Sequence, residues 1–255
     1  VLKLAKSNAL IRKLVAAETV GCVSVICSDK TGTLTENDMK AERINGEFGK
    51  NSEKNILLNS AINSSAVLKT DGSSVKVFGS ATEGALIKRA LKSGIDYEKM
   101  RDKRLIGGVL PFDSAVKYMA TEYFQNGKST IFLKGAPEKV LPLTFSKEQS
   151  ESILSEIAVF QKQGKRVIAF ARKTGELFCG DLSREVKSGG FTYDGYAVIA
   201  DPVRKDVASS VAACKKAGID VKMMTGDNPV TAAAIAMETG IITSSDEVVM
   251  ADEIE

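Results

Sequence analysis

The segment Cys27-Ser28-Asp29-Lys30-Thr31-Gly32-Thr33-Leu34-Thr35 gathers the residue types of one kind of chemistry. The short, β-branched apolar run Val23-Ser24-Val25-Ile26-Cys27 reads as a buried strand, with Asp29 at its carboxyl tip. The loop that follows, to Asn37, offers hydroxyls, a Gly and backbone N–H groups that can surround an anion. A carboxylate in such a setting can attack phosphorus and form an aspartyl-phosphate, provided donors absorb charge on the equatorial oxygens. A lone Asp at a strand tip most often closes an ordinary turn, so the weight rests on D-K-T-G-T-L-T as a unit. The sequence contains no His among 255 residues, which removes Ser-His and Cys-His pairs, His-ligated zinc and any imidazole base. Carboxylates, Lys, hydroxyls or a bound metal remain.

The elements that must hold this loop follow from hydropathy patterning. Leu10, Leu14 and Ala17 share a face, with Ile11 and Val15 beside them, and predict a helix over 2–17 that ends before Gly21. Toward the other end, Tyr196-Ala197-Val198-Ile199-Ala200 runs into Asp201-Pro202, and a helix is expected over 205–217 with Gly218 as its cap. Val221-Lys222-Met223-Met224 then leads into Thr225-Gly226-Asp227-Asn228, and Pro229 opens another, Ala-rich helix. This alternation predicts a parallel sheet with Asp29, Asp201 and Thr225-Gly226-Asp227 at carboxyl strand ends, where active residues gather. About 170 residues separate Asp29 from Asp201, against the dozen or so of a parallel crossover, and predict an inserted domain. Within it, short runs at 75–78, 118–123, 130–133 and 167–171 predict an antiparallel sheet, with helices at 54–68, 82–93 and 148–163.

Ser28-Asp29-Lys30-Thr31-Gly32-Thr33-Leu34-Thr35-Glu36-Asn37 resembles the phosphorylation motif of the P-type cation-transporting ATPases. Lys134-Gly135-Ala136-Pro137-Glu138, Asp201-Pro202-Val203-Arg204 and Thr225-Gly226-Asp227-Asn228 match further motifs in the family's order. A-E-T-V-G-C-V-S-V-I-C-S-D-K-T-G-T up to and beyond the acid, A-T-E-G-A-L at 81–86 and L-P-F-D-S at 110–114 look most like the calcium-pump branch. The resemblance implies an α/β fold in two parts. Residues 1–37 and 200–255 would form an incomplete haloacid-dehalogenase-like Rossmannoid parallel sheet, the phosphorylation domain. Residues 38–199 would form an inserted α+β nucleotide-binding domain with an antiparallel sheet.

Carried over residue by residue, the resemblance makes Asp29 the nucleophile that takes the ATP γ-phosphoryl group, within a catalytic segment that includes Lys30. Thr31 would contact the phosphate and give a backbone oxygen to Mg²⁺, so that Asp29 and Thr31 are the metal-binding pair. Thr225 and Gly226 would hold phosphoryl oxygens. Asp201, Arg204 and Asp227 resemble residues near the hinge and the phosphate end of the nucleotide. Glu83, Phe112, Lys117, Lys134 and Arg166 fall at the positions of the family's ATP pocket, Phe112 for stacking on adenine and Arg166 reaching toward the polyphosphate. Gly135 and Pro137 either shape the pocket wall or serve as turn residues. Position 203 is Val where many relatives have a second Pro.

The family's later G-D-G-x-N-D segment, its phosphate-binding Lys, its actuator domain and its membrane helices do not occur in this sequence. The expectation is therefore a piece of a pump on the cytoplasmic face of a membrane, its missing domains being its partners in the full-length chain. A hinge near 37–40 and 198–201 would close on ATP there. Two alternatives stand beside this. The chain alone could act only as an ATP-binding module, or it could be a soluble phosphatase of the same fold. The second is disfavoured because those enzymes carry a second acid two residues after the nucleophile, whereas position 31 is Thr, which cannot protonate a leaving group.

Composition agrees with a globular chain: 44% of residues are hydrophobic, and 35 Lys+Arg stand against 32 Asp+Glu for a charge of +3. That balance is too even to argue for nucleic acid or an anionic membrane surface as partner. Cys22, Cys27, Cys179 and Cys214 contain no C-x-x-C pair and favour a reducing setting. No stretch approaches the ~20 apolar residues of a membrane span.

Overall fold

A computed structural model describes residue 19 and residues 21–46, 48–49, 51–71, 74–175, 181–226 and 229–250. The helix expected over 2–17 lies outside the described residues, as do Asp227 and Asn228. The chain forms two compact units, one from its two ends (to Glu36 and from Val203) and one from Asn37–Pro202.

The Asn37–Pro202 unit is built on a six-stranded antiparallel sheet. Its order is β2 (Lys40–Asn45), β9 (Thr192–Ala200), β8 (Arg166–Gly175), β7 (Lys128–Gly135), β6 (Tyr118–Gln125) and β5 (Ile106–Leu110). Period-two alternation sends successive side chains to opposite faces, and both faces are covered. On one, Ala197, Ile199 and Phe170 pack under Ile56 of α1 (Ser52–Ile62) and Ala85 and Leu86 of α2 (Ala81–Lys92). On the other, Tyr196, Val198 and Val167 pack on Ile157 of α5 (Lys147–Lys162). The short helices α3 (Tyr97–Met100), α4 (Pro137–Val140) and α6 (Leu182–Lys187) complete the unit.

Local chemistry fixes these helices. Ser146 and Gln149 form a reciprocal capping box at the start of α5, of the kind worth about 1 kcal/mol. The Ser80 side chain accepts from the Glu83 N–H at the start of α2. A Cβ on Gly84 would lie 2.3 Å from Val77 Cγ1, so only Gly lets α2 settle against β4 (Ser74–Phe78). Asn59 and Asn63 pin α1 to the sheet, donating to the Leu133, Ala171, Met119 and Phe132 carbonyls at 3.0–3.2 Å.

The structure departs from three expectations in this unit. The helix expected over 54–68 ends at Ile62, because the Asn63 amide is committed to sheet carbonyls and the chain turns into β3 (Val67–Asp71). That strand pairs with β4 as a separate hairpin, so the run at 75–78 is not part of the large sheet. The strand 196–200, expected in a parallel sheet with Asp201 at its tip, belongs to β9 and is antiparallel to both β2 and β8. A short apolar run buried on both faces is compatible with either sheet type, and only the pairing partners decide.

In the unit from the two ends, β1 (Val25–Asp29) lies parallel to β10 (Asp220–Met224), with Asp29 opposite Met224; the strand expected to be buried is instead exposed at every residue but Ser28, because β10 is its one strand neighbour among the described residues. These are the only two parallel strands among the described residues. Val221 and Leu34 pack with Val207 and Val211 of α7 (Val207–Lys216), Ala236 of α8 (Pro229–Glu238) and Ile241.

Candidate functional site

A cavity of about 510 Å³ opens in the Asn37–Pro202 unit, within the size range of small-molecule sites. Its apolar wall is Leu86 from α2, Met119 from β6 and Ile168 from β8. Its polar groups are Ser65, Ser80, Thr82 and Glu83, with Lys134 and Gly135 from the end of β7 and Arg166 from the start of β8. Phe112, 60% exposed, stands in the lining with its ring available to a planar ligand.

Charge inside the cavity is organised around one buried pair. Lys134 Nζ lies 2.9 Å from Glu83 Oε1, and the two side chains are only 5% and 11% exposed. Glu83 Oε2 accepts from the Ser65 N–H at 3.0 Å, the Ser65 hydroxyl at 2.8 Å and the Ala66 N–H at 3.2 Å. Burial pushes the Glu83 carboxyl upward, but Lys134 and the Ser65 donors outweigh it and hold the group below the usual carboxylate value. Burial lowers the Lys134 ammonium from its ordinary value, and Glu83 offsets part of that. Beyond the ion pair, Lys134 Nζ has no hydrogen-bond partner among the described residues, so a donor in the cavity wall is left for a ligand acceptor. Arg166 donates to the Thr82 hydroxyl.

Gly135 is set by close packing. A Cβ there would lie 2.5 Å from the Lys117 carbonyl and 2.6 Å from Tyr118 Cβ. The neighbouring Ala136 N–H donates to that carbonyl at 2.9 Å. Lys117 does not line the cavity. Its backbone has a φ of 58° and its ammonium lies 3.6 Å from Glu138.

Asp29 ends β1 exposed to solvent, and Lys30–Leu34 forms a wide turn in which Gly32 takes a φ of 75°. The turn is closed by Thr35, whose N–H donates to the Lys30 carbonyl at 3.1 Å and whose hydroxyl accepts from the Gly32 N–H at 3.3 Å. Arg204 braces it from outside, donating from Nη2 to the Gly32 carbonyl at 2.9 Å and from Nε to the Thr35 carbonyl at 3.1 Å. Thr225 and Gly226 directly follow β10, whose last residue Met224 is paired with Asp29. Asp29, Lys30, Thr31, Thr225 and Gly226 thus belong to adjoining strand ends; Asp227 falls outside the described residues.

Asp201 and Arg204, expected with the nucleotide, line no part of the cavity. Asp201 accepts from the Asp38 N–H at 3.1 Å, and Arg204 serves the turn after Asp29. Sequence reasoning missed Ser65, Ser80 and Thr82. Ser80 and the A-T-E-G-A-L run after it held a signal for two of them, since an N-cap Ser and a first-turn Thr precede Glu83 at a helix start.

An antiparallel sheet with a cavity of this size lined by a stackable ring, a buried ion pair and an Arg defines an α+β domain with room for a small molecule. Comparison with known proteins narrows this. The family described as "P-type ATPase, cytoplasmic domain N" matches residues 52–206. "Probable cation-transporting ATPase F" of Mycobacterium tuberculosis is 33% identical over 280 residues, covering 96% of this chain and 31% of the relative. "Calcium-transporting ATPase 1" of Lactococcus lactis is 33% identical over 278 residues, 99% of this chain and 31% of its own length. "Sodium/potassium-transporting ATPase subunit alpha-A" of Artemia franciscana is 31% identical over 291 residues, 97% and 29% respectively. The chain therefore belongs to the P-type ATPases and carries their cytoplasmic N domain, spanning about a third of the length of these relatives. Among the described residues no helix is long and apolar enough to cross a membrane.

Proposed function

We propose that this chain binds ATP in its Asn37–Pro202 unit and accepts the γ-phosphoryl group on Asp29, as the catalytic region of a cation pump. The observation that carries the reading is the convergence of Glu83, Phe112, Lys134, Gly135 and Arg166 on one cavity. Stacking on Phe112 contributes about 0.5–1.5 kcal/mol beyond area burial. Glu83 accepts and Lys134 donates, so an adenine edge with an amino donor beside a ring-nitrogen acceptor complements the pair. Arg166 supplies a planar fork for phosphate oxygens, and the exposed Lys117 adds positive charge outside the cavity wall.

In the transfer itself, an Asp29 carboxylate oxygen attacks the γ-phosphorus. The bond to the β–γ bridging oxygen breaks, and ADP leaves with that oxygen. Thr31, Thr225 and Gly226 hold the equatorial oxygens, Lys30 and Asp227 belong to the same catalytic group, and Arg204 keeps the turn in shape through its two carbonyls. In this reading β1 and β10 are two strands of a haloacid-dehalogenase-like sheet, with the phosphorylation domain at 1–37 and 200–255 and the nucleotide domain at 38–199. Thr at position 31 favours a long-lived phosphoenzyme.

The same reading implies Mg²⁺. Among the described residues no three His, Cys, Asp or Glu side chains cluster. The donor set consists of the Asp29 carboxylate and the Thr31 carbonyl. Such hard oxygens fit an ion that keeps several waters and binds mainly through substrate phosphates. When bound it neutralises charge developing on the γ-phosphate.

Calcium is the proposed transported ion, on the calcium-pump likeness of A-T-E-G-A-L and L-P-F-D-S and the names of two bacterial relatives. The region would then sit on the cytoplasmic face of a membrane, with an actuator domain and membrane helices as partners. Calorimetric titration with ATP, ADP and GTP tests the reading. Saturable adenine-nucleotide binding supports it, and its absence from a folded sample contradicts it.

A further inference from the structure

Arg101 follows α3 and reaches back to the turn that joins α1 to β3. Its Nε donates to the Ala61 carbonyl and its Nη1 to the Ala66 carbonyl, both at 2.6 Å. The guanidinium thus ties the last turn of α1 to the residue before β3, the two ends of a segment outside either element. Tyr97 flanks it, with its ring centroid 4.8 Å from the guanidinium carbon. The Tyr97 hydroxyl is itself fixed to the Leu68 N–H and carbonyl at 3.1 and 3.2 Å. Arg101 Nη2 is buried with no partner among the described residues, and the residue lines no part of the cavity. A long, branched cation is therefore committed to two main-chain oxygens of one turn.

The other side of that turn is the seat of Glu83. Ala66 is engaged at both of its peptide groups, its carbonyl by Arg101 and its N–H by Glu83 Oε2. Ser65 gives the same oxygen two more donors, leaving Oε1 to Lys134.

We propose that Arg101 is a positioning residue of the nucleotide cavity: by clamping the 62–66 turn it aims three donors at one oxygen of Glu83 and reserves the other for Lys134 and the ligand. This rests on the nucleotide reading above. Without the clamp the Ser65 and Ala66 donors disperse, and the carboxylate loses hydrogen bonds that favour its charged form. The charged groups around Glu83 are Lys134 from β7 in contact with it, Arg166 from β8 in the same cavity lining, and Arg101 across the turn. On α2, Lys88 is turned to Asp38 at 2.7 Å, and the α1–β3 turn contributes only the Ser65 hydroxyl and amides.

The test is calorimetric ATP binding across the acid range for the unaltered chain, Arg101→Met, Arg101→Lys and Phe112→Ala. Binding requires ionised Glu83, so it falls on the acid side as that carboxyl protonates. Arg101→Met is expected to weaken binding at neutral pH about tenfold, the scale of one lost charge-assisted hydrogen bond, and to move the acid limb to higher pH. Arg101→Lys recovers part of both effects, whereas Phe112→Ala weakens binding without moving the limb. A folded Arg101 variant whose acid limb coincides with that of the unaltered chain overturns the proposal, even if it melts earlier. If Arg101→Met does not fold, the position of the limb in Arg101→Lys decides alone. Failure of the unaltered chain to bind ATP overturns the nucleotide reading itself. Normal binding there with an unmoved limb in the variants overturns only the role of Arg101.

Discussion

The cavity at Lys134 and the turn at Asp29 use a carboxylate in opposite ways. Glu83 is buried, accepts three hydrogen bonds on one oxygen and faces an ammonium on the other. Asp29 is exposed on a strand whose Val25 is 49% exposed, beside Met224 at 63%. Burial and saturation make a carboxylate a fixed recognition element, because a desolvated pair tolerates few other geometries. The nucleophile proposed at Asp29 must instead remain reachable, and the structure there is invested in the backbone of the turn, through Thr35 and Arg204.

This contrast is broken most directly at Lys134. Lys134→Met leaves Glu83 buried without its cation, and loss of one partner of a buried pair costs about 3–5 kcal/mol; urea denaturation reads this, and a loss of under about 1 kcal/mol contradicts the buried-pair description. Gly135→Ala forces a methyl against the Lys117 carbonyl and is expected to cost about 1–3 kcal/mol in the same assay while weakening nucleotide binding. Arg204→Ala removes two charge-assisted hydrogen bonds to partly exposed carbonyls, for about 1–2 kcal/mol, measurable as a lower thermal midpoint. Asp29→Asn is expected to shift stability by less than about 0.5 kcal/mol while abolishing acid-stable labelling by γ-labelled ATP in the full-length protein.

Acid sharpens the comparison. The Glu83 carboxyl is held below its ordinary value of 4.5 in the folded chain. A carboxyl lowered on folding contributes stability that is present above its unfolded value and lost as pH falls through the folded one. Urea midpoints measured below about pH 4.5 are expected to fall more steeply for the unaltered chain than for Glu83→Gln. Equal slopes would show that Glu83 is not stabilised as a carboxylate by folding.

Much of this was legible in the sequence because the signals were local. The strand into Asp29 and the helices over 82–93 and 148–163 all form where short-range chemistry puts them, although the strand is exposed and not buried as its apolar run suggested. The antiparallel sheet of the middle region followed from short runs broken by Gly and Asn. Tyr196–Ala200 misled because a run buried on both faces carries no information about its neighbours, and β9 joins β8 and β2 only through contacts distant in sequence. The end of α1 misled for a related reason: Asn63 stops the helix by bonding β6 and β7 carbonyls, which no reading of residues 54–68 contains. Glu83, Phe112, Lys134 and Arg166 came from the resemblance. Ser65 and Arg101 have meaning only once the turn at 62–66 is folded.

An adenine nucleotide is proposed to bind in the cavity between Phe112, Lys134 and Arg166. Methyl and amide NMR shifts recorded during an ATP titration test it directly. Saturating shifts are expected at Leu86, Met119, Ile168 and Ser65, abolished by Lys134→Met in a sample that remains folded. Saturable ATP binding that leaves those four signals unmoved would contradict it.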